Sequence, residues 1–140
     1  MRMQNRHILM GGVVLAVLLA LAAGLLFRGR RLFRDLEAAD IAAASVTLMP
    51  PDVTLELDSA EIRTLAKLLG ELRITRPDQS YTEYAGQAVQ FTVTFADGTG
   101  TEVTDYNPFL IIDGTGYRAA YEPCEALNRF ANELLRERGG

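Results

Sequence analysis

The tetrapeptide Asp-Gly-Thr-Gly occurs twice, at residues 97–100 and 113–116, 16 positions apart. Two acidic loops brought together could hold one cation between Asp97 and Asp113. A calcium loop, however, draws its acids from several alternating positions, and neither copy has them. Phosphate-cradling loops of the actin and sugar-kinase type place a Gly two residues after the Asp; here it follows at once. Asp-Gly is by contrast a strong hairpin signal, because Gly accepts the positive φ that such a turn needs. Two turns are therefore expected, with a shared cation site at Asp97 and Asp113 as the rival. No metal and no cofactor is expected.

Other reactive residue types are sparse. His7 is the only histidine and precedes a long apolar run, so no Ser-His-Asp or Cys-His arrangement can form beyond that run. Cys124 is the lone cysteine; it cannot form an intramolecular disulfide and is expected in the core. Lys67 is the only lysine and falls mid-helix, so a Gly-rich phosphate loop with its following Lys is missing. No catalytic residue is assigned. The 18 acids still leave room for a close carboxylate pair. Tyr81, Tyr84, Tyr106, Tyr117 and Tyr121 are expected to cover the core with one end wet, or else to form a binding patch.

The elements that would position these residues follow from periodicity. In "QAVQFTVTF", Val89, Phe91, Val93 and Phe95 alternate with Gln90, Thr92 and Thr94, the pattern of a half-buried antiparallel strand. "TEVTDY" runs back to Asn107-Pro108, "FLIID" runs forward to Asp113-Gly114, and "YRAAY" returns. Such a meander puts both Asp-Gly turns at one end of the sheet. "SVTLM" and "VTLEL", separated by Pro50-Pro51, and "RIT" read as further strands. "DSAEIRTLAKLLGEL" begins with capping-box spacing at Asp58 and Glu61, then carries Ile62, Leu65, Leu68, Leu69 and Leu72 on one stripe. In "EPCEALNRFANELLRERGG", Pro123 suits the first helical position, and Cys124, Leu127, Phe130, Ala131, Leu134 and Leu135 form the apolar face.

Residues 8–27, "ILMGGVVLAVLLALAAGLLF", carry no charge over 20 positions. As a helix they would span about 30 Å, the thickness of a bilayer's hydrocarbon core. An uncleaved anchor is expected rather than a signal peptide, since the run outlasts the usual 7–15-residue core region. Arg2 and Arg6 precede it; Arg28, Arg30, Arg31 and Arg34 follow. Counted literally, these arginines favour a cytoplasmic head. A short basic start before the first apolar segment is also how a signal-anchor begins, and an extracytoplasmic head is expected on that ground. All 18 Asp and Glu lie beyond residue 34, and an acidic head excludes nucleic acid as a partner.

The expected fold is α+β: an N-terminal transmembrane helix followed by a small antiparallel meander packed against two amphipathic helices. Its divisions are a signal-anchor at 1–28, a juxtamembrane helix or stalk at 29–44, and a head at 45–140.

The run "SYTEYAGQAVQFTVTFADGT…DYNPFLIIDGTGYRAAYEPCEALNRFANELL", preceded by the apolar anchor and a "PPDVTLEL" strand, resembles short uncharacterised membrane-anchored proteins of Gram-positive anaerobic bacteria. The similarity covers most of the head, and "YNPFLIIDG" and "YEPCEALN" are its most particular segments. It implies an outward-facing head and carries over no catalytic residue. The expectation is thus a single-pass, non-catalytic module held in lipid through residues 8–27, binding a protein, peptide or cell-envelope component. The alternatives are a small extracytoplasmic carboxylate-dependent enzyme and a cytoplasmic-facing membrane adaptor.

Overall fold

The computed structural model describes residues 10–22 and 29–139. Among these, residues 10–22 form a helix (α1), and the head is built from seven strands and two long helices. The strands are β1 (Ile41–Met49), β2 (Val53–Glu56), β3 (Ile74–Pro77), β4 (Ala88–Phe95), β5 (Gly100–Tyr106), β6 (Phe109–Ile112) and β7 (Thr115–Ala119). The helices are α2 (Ser59–Glu71) and α3 (Tyr121–Leu134), the latter continued by a π-helical turn, Leu135–Gly139. The architecture is α+β, as expected.

All strands pair antiparallel in one sheet of order β2-β1-β4-β5-β6-β7-β3. The meander from β4 to β7 forms its middle and one flank. α2 links β2, at one edge, to β3, at the other. It starts where the spacing placed it: Asp58 Oδ1 accepts Glu61 N–H at 2.8 Å, and Glu61 Oε1 accepts Asp58 N–H at 2.9 Å. Leu65, Leu69 and Leu72 are fully buried, and Ile62 and Leu68 pack at the margin.

Cross-strand register decides which side chains meet the helices. Val89, Phe91 and Val93 on β4 line up with Leu48, Val46 and Ala44 on β1 and with Asp105, Val103 and Thr101 on β5. That face carries the core, closed by Cys124, Leu127, Ala131 and Leu134 of α3. The opposite face carries Thr47, Thr54, Thr92 and Thr94, and stays open over β1, β2 and β4. At its other end the connection from β3 to β4 folds across it.

Two expectations change. Ala120 is the N-cap of α3, which places Pro123 at the third helical position rather than the first. The stretch 29–44, expected as a helix or stalk, is drawn into the head, and its only described helical part is a single 3-10 turn, Ala38–Asp40. Arg30 pairs with Ile74, Phe33 and Leu36 pack on the core, and Ile41–Ala44 open β1 opposite β4. Alanine's helix preference amounts to less than 1 kcal/mol per residue against strand formers. Pairing with a central strand and burial of Ile41 and Ala44 outweigh it.

Among the described residues no helix is long and apolar enough to cross a membrane. α1 spans about 20 Å as described; residues 8, 9 and 23–27 of the expected span, its flanking Arg2, Arg6 and Arg28, and His7 lie outside the described residues. Every large apolar side chain of α1 is exposed, from 53% at Val17 to 68% at Met10.

Candidate functional site

The repeated Asp-Gly-Thr-Gly resolves into two hairpin turns of different build. In the first, Gly98 N–H donates to Phe95 O at 3.0 Å and Phe95 N–H to Thr99 O at 2.7 Å, leaving a three-residue loop with Gly98 at φ +89. Asp97 Oδ1 accepts Thr99 N–H at 2.9 Å and Thr99 Oγ1–H at 2.6 Å, and these bonds lower its pKa. In the second, Asp113 (φ 49) and Gly114 (φ 86) form a two-residue loop with both central residues left-handed. The Asp113 carboxylate reaches across to β5, accepting Glu102 N–H at 2.8 Å and Thr101 Oγ1–H at 2.9 Å. Both carboxylates are thus engaged in holding their own hairpins. Among the described residues no three His, Cys, Asp or Glu side chains gather as a metal ligand set.

The tyrosines do not form one patch. Tyr81 and Tyr84 pack their rings against Phe109, at centroid distances of 6.4 and 5.0 Å, and Tyr106 donates its hydroxyl to Tyr84 O. Phe109 is fully buried although it points away from the helices. The Arg118 guanidinium lies 4.5 Å from its ring centroid, and Arg118 Nε donates to Asp78 Oδ2 at 2.9 Å. Asp78 Oδ1 also accepts Ser80 N–H and Ser80 Oγ–H. Those Ser80 bonds, followed by Arg118, bring the Asp78 pKa down to about 2. This lid is a self-satisfied cover over the outer end of the sheet. Tyr117 faces the opposite side, and Tyr121 is exposed at the start of α3.

One polar group stands out on the helix-covered face. Asp105 is fully buried, and neither of its carboxylate oxygens has a hydrogen-bond partner; Asn107 Oδ1, two residues on, is equally orphaned. Burial pushes the Asp105 pKa up to about 8, with Glu125 adding like-charge repulsion. Burial, and then Asp105, push the neighbouring Cys124 thiol up to about 12. A carboxyl that titrates near neutrality is a recognised mark of a functional site. Here it has no exposed surface, so no substrate reaches it, and the pair Asp105–Glu125 does not form an open acid-base site. The strand alternation could have pointed to it: Asp105 follows the inward Val103 by two residues.

Two surface depressions remain among the described residues. One, of about 320 Å³, lies between α2 and the end of α3 and is lined by Asp58, Glu61, Phe130, Glu133 and Glu137 among others; the other lies where the chain enters the head. Gly29, Arg30 and the edge strand β3 enclose a depression of about 290 Å³, reached also by Tyr117.

No family model, no curated protein and no solved structure matches this chain. Its function is argued from these residues alone.

Proposed function

We propose that the chain is a single-pass membrane-anchored, non-catalytic module whose head binds a protein, peptide or cell-envelope component on the extracytoplasmic side. The observation that carries this reading is α1. Met10, Val13, Val14, Leu15, Val17, Leu18, Leu19 and Leu21 are all more than half exposed, on every side of the helix. A helix apolar all round is stable only when buried, and at about 1.5–3 kcal/mol per large side chain its burial is worth on the order of 10 kcal/mol or more. The 20-residue uncharged run in which α1 lies matches the length that lipid requires.

The non-catalytic part rests on Asp78, Asp97 and Asp113 being taken up by hydrogen bonds within their own loops and hairpins, and on Asp105 being buried. The binding part rests on the open outer face, where Thr47 and Thr54 meet through their hydroxyls at 2.8 Å and Thr92 and Thr94 stand exposed. Arg2 and Arg6, ahead of the apolar run, support the side chosen.

Carbonate extraction of membranes from expressing cells tests the anchor, and full-length protein should remain in the pellet. A membrane-impermeant thiol reagent applied to intact cells carrying Thr82→Cys tests the side. Thr82 is exposed on the lid, while native Cys124 is buried. Labelling before lysis is expected; labelling only after lysis would make the protein a cytoplasmic-facing adaptor.

A further inference from the structure

The head begins almost where the apolar run ends. Gly29 and Arg30 follow Phe27 after a single intervening residue, and they are clamped to the sheet rather than loosely tethered. Arg30 N–H donates to Ile74 O at 2.7 Å, and Ile74 N–H returns a bond to Arg30 O at 2.9 Å. Gly29 sits at φ +76, and a Cβ there would collide with Ile74 O. Only glycine lets the chain come so close.

The depression of about 290 Å³ adjoins this contact. Its lining joins two chemistries: the apolar Ile74, Pro77 and Tyr117, and the polar Arg30, Thr75 and Arg76. Arg30 and Arg76 are exposed, and among the described residues neither has a carboxylate partner. Arg118, the cross-strand neighbour of Arg76, is by contrast taken up by Asp78. Arg31 and Arg34 stand nearby in sequence, and no acid precedes Asp35. The one basic stretch of an acidic head therefore lies beside the anchor, where an anionic surface would otherwise repel the rest.

We propose that this depression holds the headgroup phosphate of an anionic phospholipid, with Arg30 and Arg76 on the phosphate and Ile74, Pro77 and Tyr117 against its glycerol and first methylenes. The inference rests on the anchored reading above. Guanidinium groups suit phosphate because their planar donors match its oxygens two at a time, and basic residues beside a membrane segment are drawn to anionic lipid. The lipid would hold the head in a set orientation on the bilayer.

The test uses the full-length chain in nanodiscs of phosphatidylcholine alone, or of equal parts phosphatidylcholine and phosphatidylglycerol, with thermal unfolding followed by circular dichroism. The melting temperature should be several degrees higher with phosphatidylglycerol. Arg30→Gln/Arg76→Gln should lose most of that rise while melting like the parent in phosphatidylcholine. Arg63→Gln/Arg129→Gln, which removes the same charge from exposed positions on the helices, should keep it. Equal melting of the parent in both discs, or equal loss in both double variants, overturns the site. A matching rise from inorganic phosphate in phosphatidylcholine discs assigns the depression to a free anion and overturns the lipid. A chain that fails to enter discs of either composition refutes the anchor itself, and this inference with it.

Discussion

Asp105 stands directly across from Val89 in the ladder between β4 and β5, and both are fully buried on the face that the helices cover. Alternation would fill that position with an aliphatic side chain. A charged carboxylate without partners in such a place costs several kcal/mol, and the cheaper state is the protonated one. With its pKa raised to about 8 by burial and then by Glu125, Asp105 is held neutral in the folded head at pH 7.

Stability should therefore depend on pH in a definite direction. An unfolded Asp titrates near 3.9. Between about pH 4 and 8 Asp105 gives the folded chain one proton more than the unfolded chain, so stability falls as pH rises through that window, and the Asp105 contribution levels off above it. The slope is at most about 1.4 kcal/mol per pH unit. Cys124, at about 12, adds no titration there. Asp105→Asn keeps the shape of the neutral carboxyl and should melt higher than the parent at pH 8, yet close to it at pH 4. Parallel melting curves across that range would mean that Asp105 is charged in the fold.

Gly29 offers a second, purely steric prediction. Gly29→Val adds a branched Cβ that would collide with Ile74 O, at a φ of +76. The strand-edge pairing of Arg30 with Ile74 should break, at a cost of roughly 1–3 kcal/mol. Amide exchange at Ile74, protected by Arg30 O, should accelerate by orders of magnitude more than exchange in β4. Unchanged protection at Ile74 would show that the clamp does not need glycine.

How much was legible in the residues depended on range. The capping box at Asp58 and Glu61 and the alternation of Val89, Phe91 and Val93 are local patterns, and the fold uses both as read. Residues 29–44 mislead because alanine says little alone; Ile41–Ala44 become strand through pairing with Val93 and Phe95, far along the chain. Nothing in Ile74–Pro77 indicates that it will cap β7 at the far edge. Arg30 likewise comes beside the strand that carries Arg76 only because that edge pairing forms. Asp105 is within reach of the alternation rule, since it stands two residues after the inward Val103 on the same strand.

Asp78 contributes on the acid side of the profile, where Asp97 is shifted in the same direction. The folded pKa of Asp78, about 2, lies below the unfolded value, chiefly through Ser80 and then Arg118. The stability it contributes is present above about pH 4 and is lost as pH falls toward 2. Asp78→Asn can still accept from Ser80 but gives up the charge facing Arg118. Between pH 5 and pH 3 the parent should lose more melting temperature than this variant. An identical loss in both would place acid sensitivity elsewhere.

The repeated Asp-Gly-Thr-Gly provides the sharpest contrast between backbone and side chain. No heavy atom lies within 4 Å of a Cβ built at Gly98 or Gly114, so a larger residue meets no clash at either. What it meets is φ of +89 or +86, which a β-branched residue adopts only with strain. Gly98→Val and Gly114→Val should each cost roughly 1 kcal/mol or more, whereas Gly114→Asn should cost less, because Asn tolerates left-handed backbone. Asp97→Asn with Asp113→Asn should change stability little. The asparagine oxygen can still accept Thr99 N–H in one turn and Glu102 N–H in the other, the bonds that shape the two hairpins. Under a cation-site reading the order reverses, and the aspartates matter most. Melts with and without millimolar calcium separate the two: no shift is expected in the parent or in the double variant. A calcium-induced rise in the parent, abolished by the two Asn changes, would show that the turns bind a cation after all.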